Sequence, residues 1–322
     1  MKYLYSALVP LLFLYHSSFS QRLIEVSAQQ DAQGNYNFVC VNRAWCNYIL
    51  YIGFTTFDNA RSDHALPYKE MVRPGSNKLF KVSSIDPKNA IQINYKMSFA
   101  KGCIDPQVNP DFTYLLPISP GKQAQAYEIG DTPRSDSGGR GTGSLYAIRL
   151  KMKPGDTLYA ARRGTVTELD VSSNLNDSGV ANSGSGNYIE IVHADCSFAR
   201  YGILRRNSAF VKPGQLVEAG QPIGLIGGDR FGRGAEARFS VYYNRPQANA
   251  PDPQNASQPR QSGKGDEAAW AYIPLKFWTK KNGKGMLRHG ADYISEHPTA
   301  ILTQEISKPK AAPKKTKPRT KA

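Results

Sequence analysis

Apolar and polar residues alternate in short runs along most of this chain, and seldom recur at the three- and four-residue spacing of an amphipathic helix. The clearest run is Ile91-Gln92-Ile93-Asn94-Tyr95-Lys96-Met97-Ser98-Phe99, which reads as a strand with one apolar face. Tyr36 to Val41, Tyr48 to Phe54 and Lys78 to Val82 read the same way, with turn clusters such as Arg73-Pro74-Gly75-Ser76-Asn77 between them. Strands at this spacing predict a small β-sandwich-like domain over residues 21–118. In GAEARFSVYY, residues 234 to 243, Ala235, Ala237, Phe239, Val241 and Tyr243 form an apolar row, and Glu236, Arg238, Ser240 and Tyr242 the opposite one. A Glu two residues from an Arg on a strand face is ordinarily a solvated pair contributing little.

The second half of the chain carries its own internal pattern. A Gly- and Ser-rich passage, Ser135 to Ser144, precedes KPGDTLYAARRGTVTEL, which starts at Lys153, and KPGQLVEAGQPIGLIG, which starts at Lys212. Both place a short apolar strand and a Gly-containing turn after Lys-Pro-Gly, so the two copies are expected to pack as halves of one β structure. Between them, GNYIEIVHADCSFARY reads as strand, turn and strand over residues 186 to 201. Residues 244–266, rich in Pro, Gln, Asn and Ser, predict a surface loop insertion. The chain then returns through a hairpin at Asn282-Gly283 between two expected apolar strands, and this domain, 119–298, ends. The expected class is all-β.

The first twenty residues have Lys2 ahead of an apolar run and then Ser18-Phe19-Ser20, the pattern of a secretory signal peptide over 1–20. The run is too short for a membrane span, and no other segment is a transmembrane candidate. Export, periplasmic or extracellular, makes Cys40, Cys46, Cys103 and Cys196 disulfide candidates, with the pairing open. The formal charge is +15, or +14 once Lys2 leaves with the leader. Residues 308 to 322 hold seven Lys or Arg and no acid, so 299–322 reads as a basic disordered tail. Outside the cytoplasm such a tail suits an anionic surface better than nucleic acid.

The order YAIRLKMKPGDTLYAARRGTV, NYIEIVH, ARYGIL, VKPGQLVEAGQPIGLIG, GAEARFSV resembles the lysostaphin-like or LytM-like zinc endopeptidases, which cut peptidoglycan cross-links. The resemblance covers roughly residues 119 to 298. It implies a β-rich domain with a duplicated hybrid motif, and one zinc held by a His, an Asp and the second His of an H-x-H strand. This chain departs from that pattern at each position. The place of the ligand Asp is Arg149, no His stands between His64 and His193, and Ile203 replaces a catalytic His. The H-x-H strand reads Glu236 and Arg238. His193 matches a common family His that is not usually a ligand, and is read as structural.

A guanidinium stays protonated and cannot ligate zinc. The expectation is therefore a degenerate member with zinc lost, no cofactor and no catalytic residue. Arg149, Tyr201, Glu236 and Arg238 are the candidate binding residues of the vacated cleft, with Arg149 and Arg238 flanking Glu236 in a charge cluster. The expected partner is peptidoglycan or a cell-wall hydrolase. An active metalloendopeptidase with a rearranged site, or a structural surface protein using the fold as a spacer, are the alternatives.

Overall fold

The computed structural model describes residues 22–130, 146–173, 186–228, 235–245 and 270–304. The leader, the Ser135 to Ser144 passage, nearly all of the 244–266 loop and the basic run 308 to 322 lie outside them. The described chain is nearly all β, as its alternation requires.

The first seven strands are β1 (Ile24–Gln30), β2 (Tyr36–Asn42), β3 (Tyr48–Asp58), β4 (Ala60–Ser62), β5 (Tyr68–Val72), β6 (Gly75–Ser84) and β7 (Gln92–Lys101). They form two sheets, ordered β1-β2-β6-β4 and β5-β3-β7. Phe38, Phe80, Leu50, Ile52 and Val82 are buried together between them, and Phe38 stacks on Phe80 at 4.4 Å. Each such side chain contributes about 1.5–3 kcal/mol by leaving water.

The remaining elements are β8 (Thr113–Leu115), β9 (Gln123–Gly130), β10 (Tyr146–Lys151), β11 (Thr157–Tyr159), β12 (Gly164–Asp170), β13 (Tyr188–Val192), β14 (Phe198–Gly202), β15 (Leu216–Val217), β16 (Pro222–Leu225), β17 (Glu236–Asn244), β18 (Trp270–Tyr272), β19 (Lys276–Thr279), β20 (Gly283–Gly285), β21 (Asp292–Ile294) and helix α1 (Thr299–Leu302). The large sheet runs β15-β12-β13-β14-β17-β10-β9-β21, with β18 beside β17. The two Lys-Pro-Gly units pack reciprocally: β11 pairs with β16 and β12 with β15. Gly155 N–H donates to Ile226 O and Gly214 N–H to Val166 O, both at 2.8 Å, so each turn is closed by the other unit.

Three expectations need correction. Phe112, Tyr114, Leu116 and Ile118 pack into the second hydrophobic cluster, and β8 pairs in parallel with β19, so this stretch does not close the first sandwich. Residues 299 to 304 are ordered: α1 forms there, and Gln304 donates to Thr113 O at 2.7 Å. The second arm of the Asn282-Gly283 hairpin is Gly-Lys-Gly and has no apolar face.

The two clusters meet through the Lys101-Gly102-Cys103 tripeptide. Lys101 pairs with the buried Glu190, which also accepts from Tyr242 and from Thr167 Oγ1 at 2.7 Å. Gly102 has φ +122° and lies so close to Asn244 that a Cβ would meet its side chain at 3.0 Å, so both backbone and space select glycine. Cys103 is disulfide-bonded to Cys196 in the β13–β14 turn, while Cys40 and Cys46 are buried free thiols. Phe198 and Tyr242 pack into the first cluster, so the first unit covers one end of the outer face of the large sheet.

Removing Lys101 leaves Glu190 a buried charge without its cation. Lys101→Ala is expected to lower the unfolding free energy by about 3–5 kcal/mol, measured by urea denaturation with the disulfide intact; a loss below about 1 kcal/mol would place this pair among ordinary surface bridges.

Candidate functional site

The large sheet has a core face and an outer face, and its pairing register defines a row across the outer one. Tyr127 on β9 is opposite Arg149 on β10, Arg149 opposite Arg238 on β17, Arg238 opposite Gly202 on β14, and Gly202 opposite Tyr188 on β13. Directly opposed residues share a face, so these five positions lie side by side. Glu236, opposite Lys151 on β10, belongs to the neighbouring row.

Two opposed arginines repel unless an anion stands between them. Glu236 supplies it. Arg238 Nε donates to Glu236 Oε1 at 2.8 Å, and Arg149 Nε lies 3.5 Å from Oε2. The Glu236 side chain is 4% exposed, whereas those of Arg149 and Arg238 are 24% and 21% exposed, so the carboxylate is the floor and the guanidiniums the rim. Arg149 also lies over the Tyr127 ring at 4.6 Å, a cation–π contact that fixes its plane. A pocket of about 150 Å³, lined by Tyr127, Arg149, Lys151, Ala235 and Glu236, opens the cluster to solvent.

Gly202 leaves the middle of the row without a side chain. Among the described residues outside its chain neighbours, a Cβ there would meet only Arg238, at 3.6 Å, an ordinary contact. Tyr188 is held under Arg200, whose guanidinium sits 3.6 Å from the ring centre.

The sequence-derived candidates divide cleanly. Arg149, Glu236 and Arg238 converge. Tyr201 does not join them: its strand neighbours Arg200 and Gly202 take the outer face, and Tyr201 is fully buried on the core face against Phe239. Its hydroxyl accepts from Ala161 N–H at 2.8 Å, so it is a core residue and not part of the cleft. Tyr127, Lys151, Tyr188 and Gly202 are not visible from the sequence, because spacing does not say which strands become neighbours.

His193 is likewise buried. Its Nδ1–H donates to Arg163 O at 2.8 Å, and Nε2 has no partner. Burial, then the nearby Arg162 charge, pushes its pKa down to about 3, against the pull of Asp195, so the ring is neutral. Ile203, at the place of a family His, is buried with φ +68°, a conformation rare for a β-branched residue.

The donor set does not fit zinc. Two of the three converging side chains are guanidiniums, and among the described residues no three His, Cys, Asp or Glu gather. The chemistry open to these three side chains is that of charge pairing and hydrogen bonding.

Residues 144–251 match the family model described as Peptidase family M23. This stretch, about a third of the chain, is similar to that family. The match includes both Lys-Pro-Gly units and the strands bearing Arg149, Glu236 and Arg238. The catalytic domain of lysostaphin from Staphylococcus simulans is similar at 26% identity over 37% of this chain and 78% of that one, with a TM-score of 0.26. The catalytic domain of the prophage-encoded M23 protein EnpA from Enterococcus faecalis is similar at 21% identity over 48% and 98%, TM-score 0.26. Helicobacter pylori Csd3 is similar at 15% identity over 68% and 72%, TM-score 0.28. No curated protein matches the chain.

Glu236→Gln removes the anion between two opposed arginines of the M23-like segment. It is expected to cost about 1–3 kcal/mol, between the surface-pair and buried-pair ranges because both guanidiniums reach solvent, read as a fall in Tm; an unchanged Tm would mean the cluster does not hold the strands.

Because the folded pKa of His193, about 3, lies below its ordinary 6.5, the unfolded chain binds the extra proton first as pH falls. The stability due to neutral His193 is whole above pH 6.5 and is lost progressively towards pH 3. His193→Asn keeps an N–H for the Arg163 carbonyl and is expected to flatten that part of a denaturation-versus-pH profile; an unaltered slope would assign the acid sensitivity to other groups.

Proposed function

We propose that this protein is an exported, non-catalytic M23 relative that binds peptidoglycan peptide with the cleft its family uses for hydrolysis. The observation that carries the reading is the Arg149–Glu236–Arg238 cluster, in which Arg149 and Arg238 stand where the family resemblance expects zinc ligands and Glu236 where it expects the first His of the H-x-H strand. Arginine neither ligates zinc nor, being always protonated, acts as a general base. It is instead a recognition residue for carboxylates. The family match, together with the ordered motifs that resemble peptidoglycan endopeptidases, supplies the peptidoglycan context.

Two further features support an exported binder. The leader-like first twenty residues and the Cys103–Cys196 disulfide both suit an oxidising compartment. No helix among the described residues is long and apolar enough to cross a membrane. The excess basic charge, with seven cationic residues between 308 and 322, favours contact with an anionic wall.

Purified protein incubated with peptidoglycan, with and without added zinc, is expected to sediment with the polymer and to release no cut cross-link peptides detectable by mass spectrometry. Release of such fragments would overturn the non-catalytic reading, and failure to sediment would overturn the binding.

A further inference from the structure

The excess of positive charge at Glu236 carries an inference about what the cleft takes, resting on the binding reading above. Arg238 is tethered to Glu236 by an Nε–H hydrogen bond, and Arg149 Nε is ion-paired at 3.5 Å with the other oxygen of the same carboxylate. A guanidinium has five N–H donors, so the four Nη–H of each arginine remain for other acceptors. Among the described residues, neither Arg149 nor Arg238 has a second carboxylate partner. The half-buried triad therefore carries a net charge of +1, and the two guanidiniums on its rim are held in place by the buried Glu236, the Tyr127 ring and their own strand register.

We infer that Arg149 and Arg238 form a carboxylate subsite, taking the free carboxylate of a short extended peptide whose chain then runs across Gly202 towards Tyr188. A carboxylate monoanion neutralises the triad, whereas a phosphate dianion reverses its sign beside a buried carboxylate. Neighbouring strands lie about 4.8 Å apart, so Arg238 to Tyr188 spans two strand spacings, about 10 Å, the length of roughly three extended residues. Gly202 is the floor of that path. Its backbone is not left-handed, and among the described residues a Cβ there makes only an ordinary contact with Arg238, so a side chain introduced there stands in that path without straining β14. This separates the peptide path from the charge cluster, since Gly202→Leu alters the first and leaves the second.

The experiment uses the full chain and isothermal titration with N-acetyl-trialanine and its C-terminal amide, with acetate and inorganic phosphate as competitors at matched ionic strength. The free acid is expected to bind at least about tenfold more tightly than the amide, the difference one charge-assisted pair of hydrogen bonds supplies. Arg149→Gln, which keeps the Arg238–Glu236 pair, is expected to lose about tenfold, and Gly202→Leu to lose about fivefold or more with its Tm unchanged. Equal binding of acid and amide, or full binding by Gly202→Leu, overturns the subsite. Stronger competition by phosphate than by acetate overturns the carboxylate assignment. Sedimentation of the Arg149→Gln and Gly202→Leu variants with peptidoglycan at the wild-type level also overturns the subsite but leaves the binding function standing, whereas a wild-type chain that fails to sediment removes that function itself.

Discussion

A carboxylate removed from water must be met by charge and hydrogen bonds, and the fate of Glu190 organises this molecule. Glu190 lies in the middle of β13, on the outer face of the large sheet, where an unpaired anion would disfavour the fold. Lys101, at the end of the last strand of the first sandwich, supplies the charge, and Tyr242 and Thr167 supply hydroxyl donors from the sheet itself. Burial raises the pKa of Glu190, but Lys101, Tyr242 and Thr167 outweigh burial and hold it below the ordinary carboxylate value. Satisfying one side chain thus fixes where the first unit sits. The apolar contacts of Phe198 and Tyr242, the close approach of Gly102 to Asn244 and the Cys103–Cys196 bond all lie within a few residues of that pair.

The same face carries a second buried carboxylate with a different balance. Glu190 meets one buried cation and two neutral donors, and the neighbouring unit closes over it. Glu236 meets two guanidiniums, both on the rim of the sheet, and a pocket reaches Glu236 and Arg149. In the first arrangement Lys101 is shared with the half-exposed Glu168 at 3.4 Å, and its role is cohesion between the two units. The second sets two guanidiniums about one carboxylate beside a pocket, which is the basis for proposing it as a site. Docking of the first unit over the β13–β14 turn and the far end of β17 leaves this end of the sheet as the exposed remainder.

Much of this is legible in the sequence, and the failures have identifiable causes. The alternation in residues 234 to 243 assigns both faces of β17 correctly, because a strand buried on one side must repeat every two residues. The Lys-Pro-Gly repeats foretell paired halves, since a left-handed glycine and a short apolar strand recur in each. Tyr201 is misplaced by its motif because a motif position says nothing about which face its strand presents, and the alternation Arg200, Tyr201, Gly202 puts the aromatic inward. Phe112 to Ile118 read as part of the first sandwich because their partner, β19, lies more than 150 residues further on. Tyr127, Tyr188 and Gly202 escape notice for the same reason: a row across five strands is invisible until the strand order is known.

Under the proposed reading, side-chain charges stand in this chain where the family it resembles is expected to hold a metal, and that changes what the centre of the sheet does. In the zinc-dependent relatives that this chain resembles, the ligands serve the metal and the metal meets the substrate. Here the atoms that hold the cluster and the atoms left for a ligand belong to the same two residues but are chemically distinct. Nε faces Glu236 in both, as a hydrogen bond from Arg238 and an ion pair from Arg149, and the Nη donors do not. Anchoring through one nitrogen removes rotamer freedom that a flexible arginine would otherwise lose on binding, about 0.5–1.5 kcal/mol for each side chain already immobilised. Glu236 therefore contributes by pre-orienting two cations, although its own charge weakens their pull on any anion. That trade favours a planar monoanion, which engages fixed donors directionally, over a compact dianion drawn by charge alone.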